Sequence, residues 1–278
     1  MDGIPYLSPS QMAKFTSCER AWWFSRHGLR EGTSEPLAMG GGFAAALEYV
    51  SLGRGLTEYG LRRPDPDGWT DEEMDVRAFT IGESIITHAF AGYTSRWPDP
   101  VDCVREETYL LNMPYAEGHL QVRVDGVVPG HHLIEDKLRG GTAMRGDAIE
   151  NEVRQGRQLT AEAYAHWRVT GDLLPVHLRC VRKPDPRPLK TCELDEIDGI
   201  VEAHFEKEIA FQEFVASRTV DQLREFEGEF GDLDRRAAGI GSSSVPAGAK
   251  NEQSCHLYGR ACPAIGYCQS MATWGPPA

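Results

Sequence analysis

The sequence contains no apolar run approaching the roughly eighteen residues that a membrane span needs, so no membrane partner is expected. Its opening, MDGIPYLSPS, has neither the basic start nor the apolar stretch of a secretory leader, and a cytoplasmic protein is the expectation. Positive charge is scarce: 29 Lys and Arg stand against 42 Asp and Glu, a formal charge of −13. That balance excludes a protein that coats nucleic acid indiscriminately, but not a site in which carboxylates gather and arginines line one groove. Arginines cluster at Arg20, Arg26 and Arg30 and again at Arg139, Arg145, Arg154 and Arg157, most of them read as solvated helix faces. Seven cysteines, an odd number, exclude a complete disulfide framework. There is no internal repeat, and the GGG run at 40–42 lacks the lysine and spacing of a Walker phosphate loop.

What is present is a change of texture along the chain. Ser8, Pro9 and Gln11 form a capping box that predicts a helix running on through CERAWWFSR, anchored by Trp22, Trp23 and Phe24. PLAMGGGFAAALEYVSLG reads as a loop or tight turn entering a second helix. A second capping box, Thr70 to Glu73, opens a long amphipathic helix. DCVREETYLL, GHLQVRVDGVV and HHLIEDKL then alternate or carry β-branched residues between Pro and Gly turns, predicting an antiparallel meander. A helix follows over DAIENEVRQGRQLTAEAYAHWRVTG, then a strand over PVHLRCVRK. Helices are expected over LDEIDGIVEAHFEKEIAFQEFVASR and TVDQLREFEGEF, with a loop at AAGIGSSSVPAGAKN. The order predicts an α/β fold, a mixed central sheet flanked by helices.

The middle strands carry the chemistry. Alternation places Leu120, Val122 and Val124 on one face of their strand and Gln121, Arg123 and Asp125 on the other, while Glu135 and Lys137 share a face of the next. A hairpin turning at PGHH sets Asp125 beside Glu135, with Lys137 adjacent. Two converging carboxylates repel unless a cation lies between them, and hard oxygen ligands suit magnesium or manganese. Such an ion activates water and steadies charge on a phosphodiester, with a lysine to orient or neutralise. The alternative is a solvated turn ending in Glu-Asp-Lys.

Asp125, then Glu135-Asp136-Lys137 on the following strand, resembles the signature of the PD-(D/E)XK nuclease superfamily, whose core is restriction-endonuclease-like. RQLTAEAYAHW is similar to the glutamine motif of the RecB-like branch. The resemblance implies that Asp125, Glu135 and the backbone carbonyl of Asp136 hold the metal, that Lys137 is catalytic, and that Gln158 reaches back to the site. It also implies an aromatic partner four residues after the glutamine; Glu162 stands there, and Tyr164 follows two residues on.

Cysteines crowd the tail, where SCHLYGRACPAIGYCQ spaces Cys255, Cys262 and Cys268 as C-x6-C-x5-C, whereas Cys18 lies alone in SPSQMAKFTSCERAWWF. That early stretch is similar to the S-x-S-x-x-x-x-F-x-x-C-P opening of RecB-like exonucleases, with Glu19 in place of the proline. In AddB-type and CRISPR-associated exonucleases one early cysteine joins three late ones around a 4Fe–4S cluster, so the resemblance implies a cluster on Cys18, Cys255, Cys262 and Cys268. A four-cysteine zinc site, or unliganded thiols, are the alternatives. Cys103, Cys180 and Cys192 read as small core residues.

The family also places a histidine ligand in an early Gly-x-x-x-His-x-x-Leu-Glu helix; Ala44 stands there, with Glu48, His131 and His132 as substitutes. Leu138 occupies the place of a threonine that often follows the lysine. The chain is thus read as one nuclease domain over 1–278: a helical part (1–100), a catalytic core (101–192), a helical part with linker (193–250) and a cysteine-rich tail (251–278). The implied activity is a metal-dependent DNA exonuclease acting on single-stranded ends in recombination, repair or phage DNA processing, with a helicase or recombination partner. The second reading is a DNA-binding or assembly subunit with a degraded site, and the third a zinc-stapled protein of unrelated chemistry.

Overall fold

The computed structural model describes residues 6–27, 35–62, 72–113, 118–144 and 146–241, together with Cys262 and Cys268. Among the described residues six strands form one sheet: β1 (Tyr6–Leu7), β2 (Val104–Asn112), β3 (His119–Val128), β4 (His132–Arg139), β5 (Val176–Arg182) and β6 (Phe211–Ala216). β2, β3 and β4 make the predicted antiparallel meander; β5 joins β4 in parallel, and β6 closes that side antiparallel to β5. The sheet is therefore mixed.

Helices cover both faces. On one side α1 (Pro9–Ser17), α2 (Glu19–Arg26), α6 (Gly146–Gln155), α7 (Arg157–Thr170) and α10 (Val220–Gly241) bury Phe15, Trp22, Tyr164 and Phe230 against Leu120, Val122, Leu133 and Leu178. On the other, α3 (Glu35–Glu48), α4 (Leu52–Arg62), α5 (Glu72–Arg96), α8 (Pro186–Thr191) and α9 (Ile197–Phe205) enclose Phe43, Tyr59, Ile86, Tyr93, Val181 and Phe211. Among the described residues no helix is long and apolar enough to cross a membrane.

β1, α4 and α8 have no counterpart among the predicted elements, and at five further places the local structure departs from them for a physical cause. The first helix is capped as expected, Ser8 Oγ accepting from the Gln11 N–H at 3.3 Å, but it breaks at Cys18, whose extended backbone (φ −162, ψ 107) separates α1 from α2. GGGF is helical, not a turn. Gly42 and Gly55 let α3 and α4 approach so closely that a Cβ on Gly55 would lie 2.6 Å from the Ala46 Cβ and 2.7 Å from the Gly42 carbonyl oxygen. Gly156 divides the long helix after β4 into α6 and α7. FQEFVA, expected to be helical, is β6, its burial alternating because β5 offers it a free edge. Finally α10 runs to Gly241, into the segment expected to be a loop. Thr70, the predicted cap of α5, lies outside the described residues, as does most of the tail.

Candidate active site

The site begins where two strands part. The β3–β4 ladder holds only from Val128–His132 to Gly126–Ile134, while β1 takes the same edge of β3 further back, at His119 and Leu120. Between them no described strand pairs with this edge of β3. Asp125 sits at the fork, and its Oδ2 accepts the Asp136 N–H at 2.8 Å, replacing a ladder bond with a carboxylate. Glu135 follows one residue past the last ladder pair, within electrostatic reach of Asp125.

Glu135 and Lys137 share a face, as period-two alternation requires, and the Lys137 ammonium contacts Glu135 Oε1. Gln158, in the first turn of α7, donates Nε2–H to the same oxygen at 2.5 Å. Glu135 is 1% exposed, and its second oxygen, Oε2, is buried without a hydrogen-bond partner. Burial, with the charge of Asp125 added, raises the Glu135 pKa well above the carboxylate range, against the pull of Lys137. Burial alone would lower the Lys137 pKa, but Glu135 and Asp125 offset it and hold the amine charged.

One turn beyond Gln158, Glu162 is completely buried, neither oxygen meeting a donor. Two buried ionised carboxylates this close repel each other, so the site favours Glu162 in its protonated form. Burial, then the charge of Glu135, raises its pKa accordingly. Glu106 lies across the fork in the left-handed region (φ +57), where the β2–β3 register skips from Arg105–Gly126 to Glu107–Val124. Its carboxylate pairs with Arg123 Nε at 2.9 Å, and its pKa is raised by burial and by the charges of Asp125 and Glu48. The fork thus sets carboxylates from β3, β4 and α7 (Asp125, Glu135 and Glu162) about one lysine, with Glu106 of β2 linked electrostatically to Asp125.

The opposite face of β4 anchors this arrangement. The Asp136 carboxylate points away from Glu135, accepting from Tyr93 Oη at 2.7 Å and from Arg105 Nη1 at 2.6 Å. Arg105 continues to Asp99 at 2.6 and 2.8 Å, and Arg179 donates to Tyr93 Oη at 3.0 Å and to Glu213 at 3.0 Å. Burial raises the Asp136 pKa to about 6 even though Arg105 pulls it down.

No protein-family model matches the sequence, and no curated protein matches it. Among solved structures, the crystal structure of a "Putative exonuclease" from Eubacterium rectale superposes with a TM-score of 0.53 over 89% of this chain and 85% of that one, at 13% identity. The two share a fold.

Of the residues predicted for the site, Asp125, Glu135, Lys137 and Gln158 converge. The Asp136 side chain does not join them, and only its backbone stands at the fork. Tyr164 is buried in the core on the α10 side of α7, its hydroxyl donating to Glu227 at 2.7 Å. Ala44 is half-buried on α3, which packs on β4; Glu48, one turn later, is electrostatically linked to Glu106. The candidate substitutes His131 and His132 lie at the far end of β4, the first exposed and the second stacked on His177 at 4.0 Å. Cys18 is half-buried between α1 and α2, and half-buried Cys262 and Cys268 pack on the core that includes Phe15 and Trp22; Cys255 lies outside the described residues. Among the described residues, no group of three or more His, Cys, Asp or Glu side chains is disposed to hold a metal ion. Sequence reasoning assigned no role to Glu162, Glu106 or Arg105. A charged residue at 162, on the apolar stripe with Leu159, Ala163 and His166, was the one signal available.

Proposed function

We propose that the chain is a metal-dependent DNA exonuclease of PD-(D/E)XK type. The observation that carries the reading is the fork itself, where Asp125, bonded to the Asp136 N–H, stands within electrostatic reach of Glu135 and Lys137 rests on Glu135. The named character of the Eubacterium rectale neighbour points the same way. The donor set fits magnesium or manganese: both residues offer hard oxygens, and Glu135 Oε2 is buried with no proton donor of its own. Asp125, Glu135 and the Asp136 carbonyl would hold the ion, which when bound supplies Lewis-acid stabilisation of a phosphodiester and a more acidic water.

The protein's own groups do the rest. Lys137 places a positive charge beside the reacting phosphate, and its raised pKa keeps it protonated at neutral pH. Gln158 fixes one Glu135 oxygen and so aims the other. Single-stranded DNA ends are the proposed substrate, in recombination, repair or phage DNA processing, alongside a helicase or recombination partner. At the chain's two ends, Cys18, Cys255, Cys262 and Cys268 are proposed to carry a 4Fe–4S cluster, a reading supported by Cys262 and Cys268 resting on the core built by α1 and α2.

A second reading, a DNA-binding subunit with a weakened site, draws on Ala44, which offers no ligand atom from α3. End-labelled single-stranded DNA incubated with manganese separates the two. The nuclease reading expects stepwise shortening, reduced by about two to four orders of magnitude in Lys137→Ala and in Glu135→Ala. Equal shortening by wild type and both variants, or none by any, overturns it.

A further inference from the structure

Two successive turns of α7 reach Glu135. Gln158 donates to its Oε1, and one turn on Glu162 brings a carboxyl group to the same residue. The two contacts differ in kind. Gln158 has a bond to show for its position, whereas Glu162 is completely buried and neither of its oxygens meets a donor. Leu159, Ala161 and Ala163 beside it carry no polar side chain, and His166, one turn further, is engaged with the Tyr109 hydroxyl at 2.9 Å. The ammonium of Lys137 rests on Glu135. Glu135 Oε2 shares the condition of the Glu162 oxygens, buried and unmet.

A carboxyl group without donors is costly in a core, and an apolar side chain of similar length would remove the cost. What the carboxyl group adds is charge. Among the described residues three acids act on Lys137, namely Glu135, Asp125 and Glu162. Three carboxylates against one ammonium leave two negative charges, the complement of one divalent cation; with a neutral side chain at 162, one is left. Two other acids near the fork have partners of their own: Glu152 meets Arg139 at 2.6 and 2.5 Å, and Glu106 meets Arg123 at 2.9 Å. Asp125, Glu135 and Glu162 are not disposed as three ligands of one ion, so Glu162 stands behind Glu135.

We infer that Glu162 is a positioning residue of the cation site, an outer carboxylate that acts through Glu135 and supplies the second of the two negative charges neutralised by a divalent ion at Asp125 and Glu135. This role rests on the metal-dependent reading of the fork and adds to it a residue that touches neither ion nor substrate. Glu162 needs no surface of its own, because its charge is felt through a low-dielectric interior. Gln158 and Glu162 thus divide the work of α7: the first fixes the direction of Glu135, and the second sets how strongly the site attracts a double charge.

Calorimetric titration of the metal-free protein with manganese chloride reads this attraction without any turnover. Glu162→Gln is expected to bind manganese about 10- to 100-fold more weakly than wild type, the loss that follows removal of an outer partner of a metal ligand. Glu162→Asp keeps the charge and is expected to stay within about threefold of wild type. The rise in Tm produced by a fixed excess of manganese should shrink in Glu162→Gln to match. A merely structural Glu162 would move the Tm of the metal-free protein and leave manganese affinity where it was. Should Glu162→Gln fail to fold, Glu162→Met, apolar and of similar length, replaces it in both measurements. Asp125→Asn, which alters a direct ligand, is the reference and is expected to lose the binding. If Glu162→Gln binds manganese as wild type does while Asp125→Asn does not, the role of Glu162 is overturned and the nuclease reading stands. Equal weakening in Glu162→Asp and Glu162→Gln would also overturn it, since charge would not be what counts. Wild type that takes up no manganese overturns the metal-dependent reading itself, and the role of Glu162 with it.

Discussion

Glu162 is the residue whose chemistry departs furthest from its surroundings. A carboxylate with both oxygens buried and unpartnered, beside a second buried carboxylate, is stable only when protonated or when a cation is near. Glutamine in its place is a permanent donor to Glu135. Glu162→Gln is therefore expected to stabilise the metal-free protein at pH 8, by about 1 kcal/mol, in urea titration; a loss of stability would show that the Glu162 carboxylate makes an interaction of its own. Asp136 has the opposite expectation. Its side chain is 3% exposed and Arg105 beside it 10%; Asp136→Ala leaves Arg105 only Asp99 as its carboxylate partner and takes the acceptor from the buried Tyr93 hydroxyl, so it should cost about 2 kcal/mol in the same titration.

His132 makes the acid side of stability legible. Burial, then His177 and Arg179 beside it, lowers its pKa to about 4, with Glu213 opposing and exposed His131 adding a small repulsion. The unfolded chain takes up this proton below its ordinary pKa of about 6.5, whereas the folded protein does so only near 4. Stability supplied by the neutral ring is thus complete above that upper value and is lost as pH falls through the window. After allowance for solvent screening, the loss is about 1 kcal/mol. Urea melts at several pH values between the two should show a shallower decline in His132→Gln than in wild type; parallel curves would remove His132 as the cause. At this scale, Asp125, Glu135 and Lys137 were legible because period-two alternation dictates which side chains meet. Arg105 and Tyr93 were not, because their partner Asp136 is 31 and 43 residues distant and no local pattern encodes the pairing.

At the scale of elements, the glycines of α3 and α4 are a contact surface. The text GGGF suggested a turn because glycine favours one locally. The helix forms regardless, since only hydrogen at Gly42 and Gly55 lets the two backbones approach so closely. Gly55→Ala would gain about 1 kcal/mol of helix propensity, but the added methyl meets backbone at 2.7 Å, where overpacking costs about 1–3 kcal/mol. Because that contact cannot rotate away, a net loss of about 1 kcal/mol is expected in thermal melts. A neutral or stabilising result would mean the helices can part. β6 was missed for a related reason: FQEFVA carries no strand signal strong enough to stand apart from the helical text before it, and its identity comes from the open edge of β5. The breaks at Cys18 and Gly156 likewise follow from tertiary packing, because α1 and α2, and α6 and α7, must turn to keep Phe15, Trp22, Ile149 and Leu159 buried.

For the molecule as a whole, the meander, its mixed continuation through β5 and the helices on either side were readable from the order of textures, whereas the fork between β3 and β4 was not, since divergence is a property of the assembled sheet. The two ends of the chain are the remaining element of that scale. β1 adds to β3, and Cys262 and Cys268 settle on the core that α1 and α2 line, so the first described helices and these two tail cysteines share one side of the sheet. A cluster joining Cys18 to the tail cysteines would close a loop around nearly the entire chain. Loop-closure entropy for so long a loop is worth roughly 5 kcal/mol to the folded state. Protein purified without oxygen is expected to be brown, with broad visible absorption and iron and sulfide in equal amounts. Cys268→Ser is expected to lose the colour and lower the Tm on the order of 10 °C. Colourless protein containing zinc would replace iron with zinc while leaving the staple in place. Colourless, metal-free protein with the Tm of Cys268→Ser unchanged would mean that packing alone holds the ends together.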